Sequence, residues 1–131
     1  AVIEEIESRL GNDVCCIKHK YLTNEMLSII GNMDVLVGVR LHALIHAAIM
    51  DVPMIAISYD PKINSFMSSL DMKAMCSMYD FKNNFFMEEL EKTIADAENI
   101  REKMRTRIKI LIKSLDKNEE LIQELMKHKT G

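Results

Sequence analysis

Apolar residues recur along the chain at spacings that change from one segment to the next. Between Val2 and Leu10 they recur every three or four positions, which predicts a helix that ends at Gly11. The same spacing follows Thr23, a residue suited to cap a helix N-terminus, and stops at Gly31. The first part of the chain therefore predicts two short helices.

Short apolar runs separate the predicted helices, and their β-branched residues favour buried strands. The predicted strands lie at 14–17, 34–38, 54–58 and 74–76. Two further helices are predicted at 41–50 and 62–70. Because parallel strands need a crossover connection, usually a helix, this alternation predicts an α/β fold with a Rossmann-like parallel sheet flanked by helices.

From about Asn84 onward the apolar residues follow helical spacing over many turns. This pattern predicts one long amphipathic helix or two in series, which form a helical tail at 84–128 of a single Rossmann-like domain at 1–131. Seven basic and two acidic residues lie between Arg101 and Lys117. The bias favours a solvated helix face, and contact with an anionic membrane or polymer is the alternative.

Composition and charge narrow the class of protein. The chain has 131 residues, 48% of them hydrophobic and 28% charged, which is typical of one globular domain. A net charge of −3 disfavours nucleic acid as a partner. Three cysteines, two of them adjacent, make a poor disulfide framework, so we expect a reducing, cytoplasmic setting. Because the chain starts within a predicted helix, we also expect it to be part of a longer protein.

Polar residues follow the predicted strand at 34–38. Arg40 and His42 lie where this strand passes into the next helix. Ligands bind beyond the carboxyl ends of parallel strands, where helix N-termini offer unpaired N–H groups to anions. Gly38 would let the backbone approach a ligand closely. The Arg40 guanidinium can form bidentate hydrogen bonds with a phosphate or a carboxylate. His42 can donate or accept a proton near neutral pH.

A second polar segment follows the predicted strand at 54–58. Lys62 lies at the start of the following helix, on the same edge of the sheet as Arg40 if the strands are parallel. Asp60 is interpreted as the cap of that helix, with orientation of Lys62 as the alternative. Two cations and a histidine therefore converge on one crevice, which predicts an anion site with a titratable group.

Other candidate sites have less support in the sequence. His42 and His46 are four residues apart, a spacing that can bind zinc, but the residues between them include no glutamate. His46 is better explained as a core histidine, and Cys76 as a small buried hydrophobic residue. The chain has neither a GxGxxG motif nor a P-loop. We therefore expect no metal and no cofactor.

The two polar segments resemble the polysaccharide pyruvyl transferase family, especially its cell-wall members. The resemblance lies in GVRLHA at 38–43 and SYDPK at 58–62, with Ala47-Ala48 and Val52-Pro53 between them. The order and spacing of the pair make the resemblance fairly specific over about thirty residues. Val39 departs from the plainest family pattern, which has a small residue or Met there.

The resemblance implies a two-domain enzyme like the B-type glycosyltransferases, of which this chain would be the C-terminal half. Such enzymes move the pyruvyl group of phosphoenolpyruvate onto two sugar hydroxyls as a ketal, in cell-wall polysaccharide biosynthesis. By this carry-over His42 is the catalytic proton-transfer group, Arg40 and Lys62 hold the donor, and Gly38, Ser58 and Tyr59 complete the substrate-binding set. The expected partners are phosphoenolpyruvate, a sugar acceptor, the missing N-terminal domain, and membrane contact through a membrane-linked acceptor.

Two other functions stay open from the sequence. The chain could be the donor-binding domain of a nucleotide-sugar glycosyltransferase with the same architecture. It could also be a non-catalytic binding module in which Arg40 and His42 form a structural network. Because the sugar site and the catalytic base are expected mostly on the missing half, we predict that this domain alone is inactive.

Overall fold

The computed structural model describes residues 2–17, 19–114 and 127. Three parallel strands form the sheet in the order β1-β2-β3, with β1 at Leu36–Gly38, β2 at Met54–Ser58 and β3 at Cys76–Ser77. Gly38 is paired with Ala56, and Ser58 with Ser77. The prediction of an α/β fold with a parallel sheet flanked by helices is confirmed.

Helices connect and cover the strands. The six helices of the described chain are α1 Val2–Leu10, α2 Thr23–Gly31, α3 Leu41–Ile49, α4 Pro61–Ser69, α5 Asn83–Ala95 and α6 Ala97–Ser114. Short 3-10 turns lie at Gly11–Asp13 and Met78–Asp80. Helices α5 and α6 fall where the helical tail was predicted, and its remaining residues, apart from Lys127, lie outside the described chain. None of the described helices combines the length and the apolar composition that a membrane-spanning helix needs.

The predicted strand at 14–17 is wrong. This segment has no regular structure, and Cys15 and Ile17 are exposed. A run of four apolar residues does not distinguish a strand from an irregular segment, because a strand also needs a partner for its backbone. The predicted cap Thr23 is also wrong, since Leu22 holds the N-cap position and its N–H donates to Glu25 Oε1 at 2.8 Å.

The core lies between the sheet and the helices on its faces. Helix α3 contributes a nearly continuous buried surface that includes Leu44, Ala47 and Ala48. Helix α6 closes the core with Met104 and Ile108, which are both almost completely buried. The amphipathic pattern of the tail therefore reflects packing of α6 against the domain.

Basic residues of α6 contact the ends of α3 and α4. Arg105 Nε lies 3.2 Å from Asp51 Oδ2, and Lys103 Nζ lies 3.7 Å from Asp71 Oδ2. Asp51 lies just after α3 and Asp71 just after α4. Both aspartates have a left-handed backbone conformation, with φ of 57°. Arg107 Nε donates to Ser69 O, at the last residue of α4. Cations near the C-terminal ends of helices interact favourably with the helix dipoles, which accounts for part of the basic bias of this segment.

Candidate active site

Arg40 and His42 lie where β1 passes into α3. Arg40 is the N-cap residue of α3, with extended backbone angles, and the Leu44 N–H donates to Arg40 O to close the first turn. His42 is the second residue of the helix. Both side chains are exposed. The end of β1 therefore presents a guanidinium and an imidazole at the N-terminus of a nine-residue helix.

Lys62 holds the corresponding position where β2 passes into α4. Asp60 is the N-cap residue, and its Oδ1 accepts from the Lys62 N–H at 2.8 Å. Ser58 Oγ donates to Asp60 O at 3.1 Å, and Pro61 occupies the first position of the helix. The interpretation of Asp60 as a cap is confirmed. The cap fixes the first turn of α4 and therefore the backbone position from which the exposed Lys62 side chain extends.

The parallel register brings these two helix N-termini to one edge of the sheet. β1 and β2 are neighbours, with Gly38 opposite Ala56, and adjacent strands lie about 4.8 Å apart. Helices α3 and α4 also contact each other. This edge therefore carries the positive ends of two helix dipoles and the cations Arg40 and Lys62. These positive charges favour the binding of an anion.

Arg40 carries its charge at the surface. Among the residues that the structure describes, no carboxylate forms an ion pair with Arg40 or with Lys62. A structural network in which Arg40 neutralises an internal carboxylate is therefore not present in the described chain. An exposed guanidinium and an exposed ammonium are suited to bind an anionic ligand.

Gly38 has a packing role that the sequence did not indicate. A Cβ atom at this buried position would lie 2.9 Å from Leu44 Cδ2 and 3.2 Å from Leu36 Cδ2. Glycine therefore lets α3 lie close to the end of β1. Close approach of the Gly38 backbone to a ligand stays a prediction.

Ser58 and Tyr59 differ in how they face solvent. Ser58 is 6% exposed, and its hydroxyl holds the loop that leads to Asp60, so it shapes the edge of the site from inside. Tyr59 is 49% exposed and lies between the strand and the cap. Tyr59 can therefore contact a ligand directly, whereas the Ser58 hydroxyl supports the loop.

A cavity at the end of β3 was missed by the sequence analysis. It has a volume of about 360 Å³ and is lined by Met75, Cys76, Asp80, Lys82 and Phe85. The signal was available, because Asp80 and Lys82 follow a predicted strand just as Arg40 and Lys62 do. Cys76 is half-buried, not buried as predicted, and burial raises the pKa of its thiol, with a further contribution from the charge of Asp80.

The pair His42 and His46 does not extend to a cluster of ligands. Within residues 2–17, 19–114 and 127, no group of three or more histidine, cysteine, aspartate or glutamate side chains could hold a metal ion. His46 is half-buried among the apolar residues of α3.

Comparison with known families adds to this geometry. Residues 2–61 match the model of the family described as Polysaccharide pyruvyl transferase. This segment is therefore similar to the polysaccharide pyruvyl transferase family. The resemblance seen in the sequence is thereby confirmed over this segment. No curated protein and no solved structure matches the chain.

The family match covers most of the candidate site. It includes both strands β1 and β2 and the residues Arg40, His42 and Asp60. Lys62 follows the last matched residue, Pro61, by one position. The family match therefore includes the edge formed by β1, β2 and the start of α3.

Proposed function

We propose that this chain is the donor-binding half of an enzyme that transfers the pyruvyl group of phosphoenolpyruvate to sugar hydroxyls. The product is a pyruvate ketal on a cell-wall polysaccharide or exopolysaccharide, made in the cytoplasm. One observation carries the proposal: Arg40, His42 and Lys62 lie at the N-termini of adjacent helices on one edge of a parallel sheet, in and beside the family segment.

Binding of the anionic donor is the first requirement of this reaction. Phosphoenolpyruvate carries a phosphate and a carboxylate, and the site offers a guanidinium, an ammonium and two helix N-termini. Arg40 suits a planar, bidentate contact, whereas Lys62 acts as a compact charge. These groups hold the donor and stabilise the negative charge that grows on phosphate as its bond to carbon breaks. Tyr59 and the loop braced by Ser58 border the same edge.

Proton transfer is the second requirement, and His42 supplies it. The protonated imidazole donates to the terminal enol carbon, and the adjacent carbon becomes an oxocarbenium-like centre. One sugar hydroxyl attacks this centre and gives up its proton to a base. Inorganic phosphate then leaves, and the second hydroxyl adds with loss of its proton to close the ketal. Donor and diol thus give the ketal and phosphate, with no oxidant or reductant.

The base and much of the acceptor site belong to a second domain in this proposal. The chain would form the C-terminal half of a two-domain enzyme like the B-type glycosyltransferases, with 1–131 as one Rossmann-like domain that includes the helical tail. The exposed positions of Arg40, His42 and Lys62 suit a cleft that another domain completes. The isolated chain is then catalytically inactive.

Ligand-induced stabilisation tests the donor. A ligand that binds only the folded chain raises its melting temperature. Phosphoenolpyruvate should raise the melting temperature of the chain, and a nucleoside diphosphate should not. The reverse result would favour the donor-binding domain of a nucleotide-sugar glycosyltransferase, and no shift with either ligand would favour a non-catalytic module.

A further inference from the structure

The cavity at the end of β3 is lined by charged groups of both signs. Asp80 is held by Ser77 Oγ, which donates to Asp80 Oδ2 at 2.8 Å. A carboxylate has about four acceptor positions, so Asp80 can accept further bonds from ligand hydroxyls. Lys82 lines the same cavity and brings three N–H donors. A carboxylate beside an ammonium suits a neutral ligand with many hydroxyls better than an anion or a cation.

The remaining wall of the cavity is apolar and aromatic. Met75 and Cys76 are half-buried, and Phe85 is 60% exposed at the start of α5. Burial raises the pKa of the Cys76 thiol, and the charge of Asp80 raises it further. Tyr79 precedes Asp80 in the chain and is 91% exposed. Aromatic rings that face solvent favour contact with the C–H face of a sugar ring, which is apolar, while its hydroxyls bond at the rim.

A contact between two aromatic rings and a helix cap fix the segment that carries Lys82 and Phe85. Phe81 and Phe86 pack with their ring centroids 5.7 Å apart, on either side of the helix start. The Phe86 N–H donates to Lys82 O, which makes Lys82 the N-cap residue of α5. Lys82 and Phe85 are therefore presented from a fixed first turn. The volume of about 360 Å³ lies within the roughly 300–1,000 Å³ of small-molecule sites.

The register of the sheet places the end of β3 beside the end of β2. Ser77 is paired with Ser58, so the segment that follows β3 lies next to the segment that leads from β2 to Lys62. Adjacent strands are about 4.8 Å apart. A ligand at the end of β3 therefore lies one strand away from an anion held at the ends of β1 and β2.

We propose that the cavity lined by Asp80, Lys82 and Phe85 binds one monosaccharide ring of the polysaccharide acceptor. The acceptor role rests on the proposed pyruvyl transfer, whereas sugar binding itself rests on the chemistry of the cavity. This chain then holds part of the acceptor, although the resemblance had placed the sugar mostly on the other domain. The sugar would lie with its hydroxyls toward the donor at the neighbouring strand ends.

Amide chemical shifts of the ¹⁵N-labelled chain test this proposal. The probes are the methyl glycosides of glucose, galactose, mannose and N-acetylmannosamine, each titrated to the millimolar range. At least one should shift the amides between Cys76 and Phe85. Asp80→Asn should weaken its binding roughly tenfold, because a neutral amide oxygen accepts hydrogen bonds from hydroxyls less strongly than a carboxylate does. Phe85→Ala should weaken it about two- to tenfold.

Matched substitutions control for general effects. Asp34→Asn removes an exposed carboxylate elsewhere, and Ile110→Ala truncates an apolar side chain that is 47% exposed. Both should bind the glycoside as the unaltered chain does. Because Phe85 is largely exposed, Phe85→Ala should stay folded even if Asp80→Asn disturbs the turn at 78–80.

The outcomes separate this proposal from the proposed function. If no glycoside shifts these amides while phosphoenolpyruvate shifts those near Arg40 and Lys62, the sugar site is wrong and the donor site stands. If a glycoside binds at 76–85 and phosphoenolpyruvate does not bind, the cavity is a sugar site and the pyruvyl transfer is wrong. Binding of phosphoenolpyruvate in the cavity at 76–85 would also overturn the assignment of a sugar.

Discussion

His42 and Lys62 occupy equivalent positions in two adjacent strand–helix units of the fold. Each is the second residue of a nine-residue helix that follows one of two neighbouring parallel strands. The two side chains therefore start from equivalent points at one edge of the sheet. One of them can transfer a proton and the other carries a fixed positive charge, so an anionic substrate held there meets both.

Arg40 and Lys62 should dominate the affinity for phosphoenolpyruvate. Arg40→Ala and Lys62→Ala should each weaken binding about tenfold or more, because a hydrogen bond to a charged group contributes roughly 1.5–3 kcal/mol. Isothermal titration calorimetry measures this change. Lys73→Ala removes an exposed lysine elsewhere and should bind normally. Equal affinities in all four proteins would show that the anion binds at another place.

His42 should matter for catalysis more than for binding. In the two-domain enzyme, His42→Ala should lower kcat for ketal formation by about 100- to 10,000-fold, which is the usual contribution of general acid catalysis. Phosphoenolpyruvate should still bind, because the cations remain. His19→Ala, at another exposed histidine, is the matched control. Ketal formation at the normal rate in the His42 variant would assign the proton to another group.

The cap of α4 should stabilise the fold and position Lys62 together. Asp60→Ala removes the acceptor for the Lys62 N–H and should lower the free energy of unfolding by about 1 kcal/mol. Asp60→Asn keeps a capping oxygen and should lose little. Urea denaturation measures the stability, and calorimetry measures phosphoenolpyruvate affinity. If Asp60→Ala and Asp60→Asn lose the same stability, the carboxylate charge and not the cap is what matters.

Gly38 and Gly31 allow a direct test of the packing role. Gly38→Ala should destabilise the chain by about 1–3 kcal/mol, because its Cβ would meet Leu44 Cδ2 at 2.9 Å in a packed core. Gly31→Ala is the control: its Cβ would meet only the flexible end of Met50, and alanine favours a helix. Thermal denaturation should show a lower melting temperature for the Gly38 variant alone. A neutral Gly38→Ala would mean that glycine is not required by Leu44.

The sequence predicted those features that depend on local pattern. Helices α1, α3 and α4 and strand β2 follow from apolar spacing, and the cap at Asp60 follows from the residues around Pro61. The placement of Arg40, His42 and Lys62 at the starts of helices on one edge of the sheet also followed, because the carboxyl ends of parallel strands share an edge.

Other features depend on tertiary contacts that a linear pattern does not contain. The segment at 14–17 has the composition of a strand, but without a paired backbone it stays irregular. Gly38 is explained by Leu44, which is in contact only once α3 packs on β1. The cavity near Asp80 also needs Phe85 from the start of α5, and the sequence pattern does not show that this residue lies near Cys76.

A crystal structure of the chain soaked with phosphoenolpyruvate tests the central claim most directly. The account predicts that the phosphate or carboxylate lies within hydrogen-bonding distance of Arg40 and Lys62, at the N-termini of α3 and α4. Phosphoenolpyruvate bound elsewhere, or an empty edge at millimolar concentration while a nucleoside diphosphate occupies it, would contradict the account.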